Sequence, residues 1–387
     1  MIFRRRGAQL AVIAVVQVLA MSLWFSASTV VPALRVDWSL SREAGILLSV
    51  TVQLGFAAGA VVSAAFNLAD RIEPQRLLAG GAALGASATA AFPLAGPAAA
   101  APLRFLTGFA LAAVYPVGMK IVVSWFRLAR GLALGVLVGA LTVGSALPGL
   151  LTGIGSWRAV LDVAAALALL AALVAVVCVR PGPDWQPAPP WEPRYLLRMV
   201  RARSQRLVCL GYFGHMWELY ALWAWLPVYL AAAGTGSAFA VIGLAGAAGS
   251  LLGGLLSDRA GRTAVTIGAM LLSAGCGVLS VAAWGTPLLV PLLFLWGAAV
   301  IADSAQFSAA LSEVADPRYV GTALTAMTAA GFVVSAVTIQ LLPPLADVTG
   351  WRDAVALLSI GPVLGALAMS GVRAAAGART PRSTARQ

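Results

Sequence analysis

The stretch GGLLSDRAGR, from Gly253 to Arg262, sits between two apolar runs at about 236–256 and 264–284. Its length fits a tight turn between two long helices. Gly261 permits the sharp backbone change that such a turn needs. Asp258 is placed to cap and charge-stabilise the N-terminus of a neighbouring helix, and Arg259 and Arg262 flank it. A related turn, NLADRIEPQR from Asn67 to Arg76, occurs earlier, with Asp70-Arg71 lying 188 residues before Asp258-Arg259. Two further pairs keep that offset: Arg130-Gly131 with Val320-Gly321, 190 apart, and Trp157-Arg158 with Trp351-Arg352, 194 apart. Three matches in register point to a duplicated chain.

The unit that was duplicated is a set of membrane spans. The 387 residues are 60% hydrophobic and only 10% charged, against about a quarter charged in a soluble domain. Runs of ~18 or more apolar residues, each long enough to cross a bilayer as a helix, recur along nearly the whole chain. Twelve spans are expected. The first six fall at about 9–32, 45–67, 76–95, 99–124, 130–152 and 159–179. The second six fall at about 207–231, 236–256, 264–284, 288–312, 320–343 and 353–373. The start, MIFRRRGAQL and the apolar stretch after it, also has the form of a signal peptide, but eleven further spans favour an uncleaved first span. The expected fold class is an all-α membrane protein of two pseudo-symmetric six-helix bundles. Residues 1–179 form the first bundle and 207–375 the second, with a Pro- and Arg-rich linker at 180–206 and a tail at 376–387. The linker contains a short basic amphipathic segment suited to anionic headgroups.

The net charge of +12 would suit nucleic acid, but its distribution excludes that reading. Twenty of the 26 Lys and Arg residues fall on segments that share a side with the N-terminus. Only Arg35, Arg42, Arg158 and Arg352 fall on the other side. By the positive-inside rule, both termini and the linker are expected in the cytoplasm, with the chain in the cell's inner membrane. Cys178, Cys209 and Cys276 lie in apolar spans at no metal-ligand spacing, so no disulfide, metal or cofactor is expected. No nucleotide-binding P-loop and no nucleophile–His–acid set is present, which argues against ATP-driven pumping and against an enzyme.

GGLLSDRAGR resembles the G-x-x-x-D-R-x-G-R loop signature of the major facilitator superfamily. NLADRIEPQR keeps Asp70 and Arg71 but has Glu73 and Pro74 where Gly-Arg would fall. RFLTG, Arg104 to Gly108, resembles that family's R-x-x-x-G element of span four, which is associated with proton coupling. GVLVGALTVGSALPG, Gly135 to Gly149, resembles its Gly/Pro-rich span-five element loosely, and small residues so spaced also let helices approach closely. The resemblance covers essentially the whole chain. It implies secondary transport of a small molecule through a monomer, with spans one, four, seven and ten lining a central cavity.

On that resemblance, Glu218 of span seven and Asp303 of span ten face the cavity. Their depths agree independently. Glu218 lies twelve residues beyond Arg206, ~18 Å in, and Asp303 ten residues before Glu313, ~15 Å in. Intramembrane acids cost ~2.5–3.5 kcal/mol on insertion scales and usually mark a pathway. Glu218 is the expected proton-coupling residue, with Asp303 assisting and His215, the only histidine, tuning or relaying. The structural alternative pairs Glu218 with His215 and Asp303 with Gln306. Arg104, Trp24, Tyr115, Trp225 and Gln306 are the expected substrate contacts, while Lys120, the only lysine, is expected to snorkel. Pro116 and Pro227 are candidate kinks. The leading reading is a proton-coupled transporter of a small organic solute, with symport and antiport both open. A proton-independent facilitator, or a receptor or scaffold of the same fold, is the alternative.

Overall fold

The computed structural model describes residues 5–151, 155–185, 194–235 and 238–377. The expected tail lies, from 378 onward, outside the described residues, as does 186–193 of the linker. Among the described residues the chain is helical, without strands. Twelve long helices run as α1 Arg6–Asp37, α2 Glu43–Ala65, α3 Pro74–Ala95, α4 Pro97–Trp125, α5 Arg130–Leu151 and α6 Trp157–Cys178, then α7 Arg203–Ala233. They continue as α8 Phe239–Ala260, α9 Arg262–Ala283, α10 Leu289–Val314, α11 Pro317–Thr349 and α12 Trp351–Arg373. Eleven are long and apolar enough to cross a membrane. The exception, α7, is 31 residues long but is diluted by its histidine, glutamate and tyrosines.

The duplication read from the sequence governs the packing. In the first half α1 packs on α5 and α6, α2 on α4, and α3 on α4 and α6. In the second half the same five pairs recur six helices later: α7 on α11 and α12, α8 on α10, and α9 on α10 and α12. The halves meet chiefly through α2 against α11 and α5 against α8, two pairs that the same shift interchanges.

Several of the spans are broken. In α1 the helix stops at Met21 and restarts at Ser26. In α4 it stops at Leu111 and restarts at Tyr115, where Pro116 lacks an N–H and would clash with the Ala112 carbonyl. In α10 the break is a single residue, Asp303, between Ala302 and Ser304. Pro227 sits inside the continuous α7 and breaks nothing.

The two Asp-Arg turns lie on one face and each reaches into the other half. Asp258 accepts from the backbone N–H groups of Gly131 (3.1 Å) and Leu132 (2.9 Å), the exposed donors at the start of α5. Arg262 holds that carboxylate at 3.2 Å and ties it to Glu313 at 2.7 Å. Asp70 accepts from the backbone N–H of Thr322 (3.0 Å) and its hydroxyl (2.7 Å) near the start of α11. An anion against a helix N-terminus contributes about 0.3–1 kcal/mol when exposed and up to ~2 when partly buried. Asp70 is 4% exposed, so the first-half contact belongs at the upper end. Gly261 has φ of 87°, as the turn requires.

Lys120 does not snorkel. It is buried and donates to Asp70 and to the Ala69 carbonyl, the latter at 3.0 Å. It thus supplies the cation that Pro74 removed from the first-half turn. The segment after α6 covers it, with the Trp185 ring 4.0 Å from Nζ. Gly182 N–H donates to Ser124 Oγ at 2.8 Å, and Asp184 pairs with Arg127 at 2.6 Å, a contact that holds the Asp184 carboxyl below its usual range. Arg71 and Arg259 are exposed and outside these networks. Within the linker, Tyr195–Arg201 is helical, and Tyr195 is buried in a stack on Tyr319, ring centroids 4.4 Å apart.

The carboxylates come so close that a side chain at Gly131 or Gly321 would collide with them. A Cβ at Gly131 would lie 2.8 Å from Asp258 Oδ1, and one at Gly321 would meet Asp70 Oδ1 inside contact distance. We expect Gly131→Ala and Gly321→Ala each to widen this face. Spin labels on opposite halves should show a longer distance distribution by pulsed electron resonance, and an unchanged distribution would mean that close approach is not required.

Candidate functional site

With one face held shut, a cavity of 610 Å³ opens between the halves on the opposite face. Phe25 and Trp223 line its inner end, edge to face with centroids 5.5 Å apart. Trp24, Phe56, Tyr220 and Phe332, contributed by α1, α2, α7 and α11, pack next to them with centroids between 4.4 and 5.6 Å. This layer separates the cavity from a void of 20 Å³ lined by Tyr115, Thr142, Tyr212, His215, Tyr220 and Ser304. About 10–15 Å³ is needed to admit one water, so the void holds water at most, not a solute.

The buried titratable groups gather where α7, α9 and α10 meet. His215 Nδ1 lies 2.9 Å from Asp303 Oδ1, and its Nε2 lies 2.9 Å from Ser304 Oγ. The break in α10 places both partners against α7. Glu218 accepts from Ser273 Oγ (2.9 Å to each carboxylate oxygen) and from Trp296 Nε1 (2.6 Å). His215 and Glu218 are 1% exposed and Asp303 2%. The structural alternative, a bond between Glu218 and His215, is not formed: at one turn's spacing they share a helix, but each reaches a different neighbour. The Asp303 carboxylate likewise contacts His215 and not the Gln306 side chain, whose two amide atoms are buried without partners. Gln17 of α1 is in the same condition. Ser273, Trp296 and Ser304 were invisible as site residues because nothing in an apolar span marks which serine or tryptophan will oppose a buried titratable group.

The expected substrate contacts disperse. Trp225 lines the cavity and donates to the Ile339 carbonyl at 2.9 Å. Tyr115 lines the small void. Trp24 belongs to the aromatic layer. Arg104 does not line the cavity. It is 1% exposed and donates to the carbonyls of Leu23 (3.2 Å) and Trp24 (2.6 Å), two groups released by the break in α1. An unwound turn at membrane depth must find partners inside the protein, and the guanidinium fork supplies them.

Arg104→Met keeps bulk and removes the donors, so the Trp24 carbonyl loses its bond at a cost of roughly 1–3 kcal/mol. The expected result is a lower thermal unfolding midpoint in detergent. An unchanged midpoint would show that the break in α1 is held by other contacts.

Residues 13–339 match the sequence profile of the Major Facilitator Superfamily. A stretch of 79 residues is 37% identical to the 3-(3-hydroxy-phenyl)propionate transporter of Escherichia coli (strain K12), covering 20% of this chain and 20% of that protein. The fold is similar to the crystal structure of the human organic anion transporter MFSD10 (TETRAN), with a TM-score of 0.75 at 16% identity over 94% of this chain and 99% of the other. It is similar also to the proton:xylose symporter XylE bound to 6-bromo-6-deoxy-D-glucose, with a TM-score of 0.73 at 15% identity over 94% and 95%. The motif loops, the doubled six-helix plan and the profile match over most of the length agree: the chain belongs to the Major Facilitator Superfamily.

Proposed function

We propose that this multi-pass membrane protein is a secondary active transporter of a small organic solute, working by alternating access and coupled to protons. The observation that carries the reading is the burial of His215, Glu218 and Asp303 behind an aromatic layer that adjoins a cavity of solute size. Charges at this depth are costly and usually serve a pathway. The cavity is open on one face while cross-half contacts of Asp70 and Asp258 close the other, as one end state of an alternating cycle requires. Opening the second face means breaking those contacts and sliding α2 on α11 and α5 on α8. The symporter and the two organic-acid and organic-anion transporters to which the chain is similar favour the same reading.

In this scheme Glu218 carries the proton. Asp303 and His215, facing it from α10 and from its own helix, form the pair whose geometry changes when α10 flexes at its break. Gln306 and Tyr115 contact the solute once the aromatic layer parts. The charge bias of the loops supports a cytoplasmic position for the closed face, both termini and the 180–206 linker, with the cavity facing outward from the cell's inner membrane. The working unit is a monomer, one cavity being enclosed by one chain.

Glu218→Gln keeps the shape and can still accept from Ser273 and Trp296, but cannot ionise. It should abolish accumulation on a proton gradient in proteoliposomes while retaining solute exchange, with a flattened pH dependence. Asp303→Asn should weaken accumulation less. Accumulation by Glu218→Gln equal to wild type would assign the residue a structural role and place the proton carrier elsewhere.

A further inference from the structure

The cavity is chemically two-sided. Its polar side chains, Ser28, Thr29, Arg35, Ser49, Gln53 and Ser145, all come from the first half. The second half contributes Trp223, Trp225, Phe239 and Trp351 with aliphatic residues and proline, and the Trp225 indole N–H is already engaged by Ile339. That wall offers ring faces and hydrocarbon, with the indole N–H groups of Trp223 and Trp351 as its side-chain donors. The opposite wall has apolar residues of its own (Phe25, Val31, Pro32, Ile46) but adds hydroxyls, one amide and one guanidinium. Gln53 is 1% exposed, and its Oε1, like Ser28 Oγ, is buried without a partner. Buried polar groups are destabilising while unpaired: the Ser28 hydroxyl can donate to a solute oxyanion, whereas Gln53 Oε1, an acceptor, is met only by a donor group on the solute.

The sign of the solute's charge follows from the lining. Arg35 is the one charged side chain lining the cavity among the described residues. It commits only Nε, in a long contact of 3.4 Å to the Leu40 carbonyl, which leaves the rest of the fork open. The nearest acid in sequence, Asp37, is engaged by Trp157 Nε1 and Arg158, each at 3.1 Å, and does not line the cavity. A cationic solute would therefore meet a cation and no carboxylate. An anionic one would meet a fork suited to a planar oxyanion.

We infer that the cavity takes an amphipathic organic anion, with a flat apolar body against the second-half indoles and its carboxylate toward the first-half wall and Arg35. The volume of 610 Å³ lies within the range of about 300–1,000 Å³ common for small-molecule sites. Within the cavity the hydroxyls and the amide accept or donate as the solute demands, so they tolerate many head groups. Arg35 is the element that selects charge. The inference rests on the cavity being the solute site of the proposed transporter and deepens that reading.

The test uses three probes of one shape and different charge: 2-naphthoate, 2-naphthylmethanol and 2-naphthylmethylamine. Binding to the purified full chain in detergent is measured by calorimetry, which needs no gradient. The carboxylate should bind at least tenfold tighter than the alcohol, and the amine weakest. Arg35→Gln should bring the carboxylate to the level of the alcohol, and Arg35→Lys should keep part of the preference. Trp223→Ala should weaken all three probes by a similar factor. Each variant's unfolding midpoint is compared with wild type, and Arg35→Lys carries the test if Arg35→Gln does not fold. The inference is overturned if the amine equals or exceeds the carboxylate, if neutralising Arg35 leaves the preference intact, or if no probe binds up to its solubility limit. Charge-selective binding without flux in proteoliposomes would instead remove the transport reading and leave the site standing. Flux of another solute without anion preference would do the reverse.

Discussion

Two carboxylates set against helix N-termini hold this structure in its present shape. Asp70 reaches α11 and Asp258 reaches α5, and each thereby fastens one half of the molecule to the other on the same face. Helix starts expose N–H groups that no intrahelical carbonyl can satisfy. An aspartate brought in from the partner bundle meets that need and adds a favourable charge–dipole term. Because both contacts lie on one face, the halves splay on the other, and the cavity follows from that geometry.

The two contacts are equivalent in position and different in chemistry. In the second half, Arg262 from the turn itself balances Asp258 and links it to Glu313. In the first half the matching position is Pro74, and the balancing cation comes from Lys120 on α4, beneath the Trp185 ring. A duplicated plan thus tolerates loss of one motif residue when another helix can deliver the same charge to the same carboxylate. The substitute is more deeply buried, with the Lys120 side chain 7% exposed against 16% for Arg262. The first-half contact is correspondingly better shielded from solvent screening.

Membrane depth imposes a second constraint: every polar group must find a protein partner. The break in α1 releases carbonyls and Arg104 takes them. The break in α10 is formed by Asp303 itself, which turns to His215. Glu218, without a cation beside it among the described residues, is met by a serine and an indole. The first two arrangements adjoin the aromatic layer of Trp24, Phe56, Tyr220 and Phe332, which draws from both halves and so moves whenever the halves move.

The sequence alone determined the class, the number of spans, the doubled plan and the identity of the intramembrane acids. Each is written in local composition: apolar length, a repeated Asp-Arg turn, or a charge where hydrocarbon is expected. It also offered Asp258 as a cap, while for Asp70 it showed only a repeated Asp-Arg turn that departs from the motif at Glu73 and Pro74. Only the tertiary structure decided which groups meet. Spacing along one helix offered Glu218 with His215 as an alternative pair, but side chains one turn apart can point to different neighbours, and packing sent one to Ser273 and Trp296 and the other to Asp303. Arg104 read as a ligand for solute because its need was invisible: the carbonyls it satisfies exist only once α1 unwinds, 80 residues away. Lys120 read as a headgroup contact because its carboxylate lies 50 residues back in the chain. Composition is a property of segments, whereas partnership between polar groups in a membrane depends on which segments the fold brings side by side.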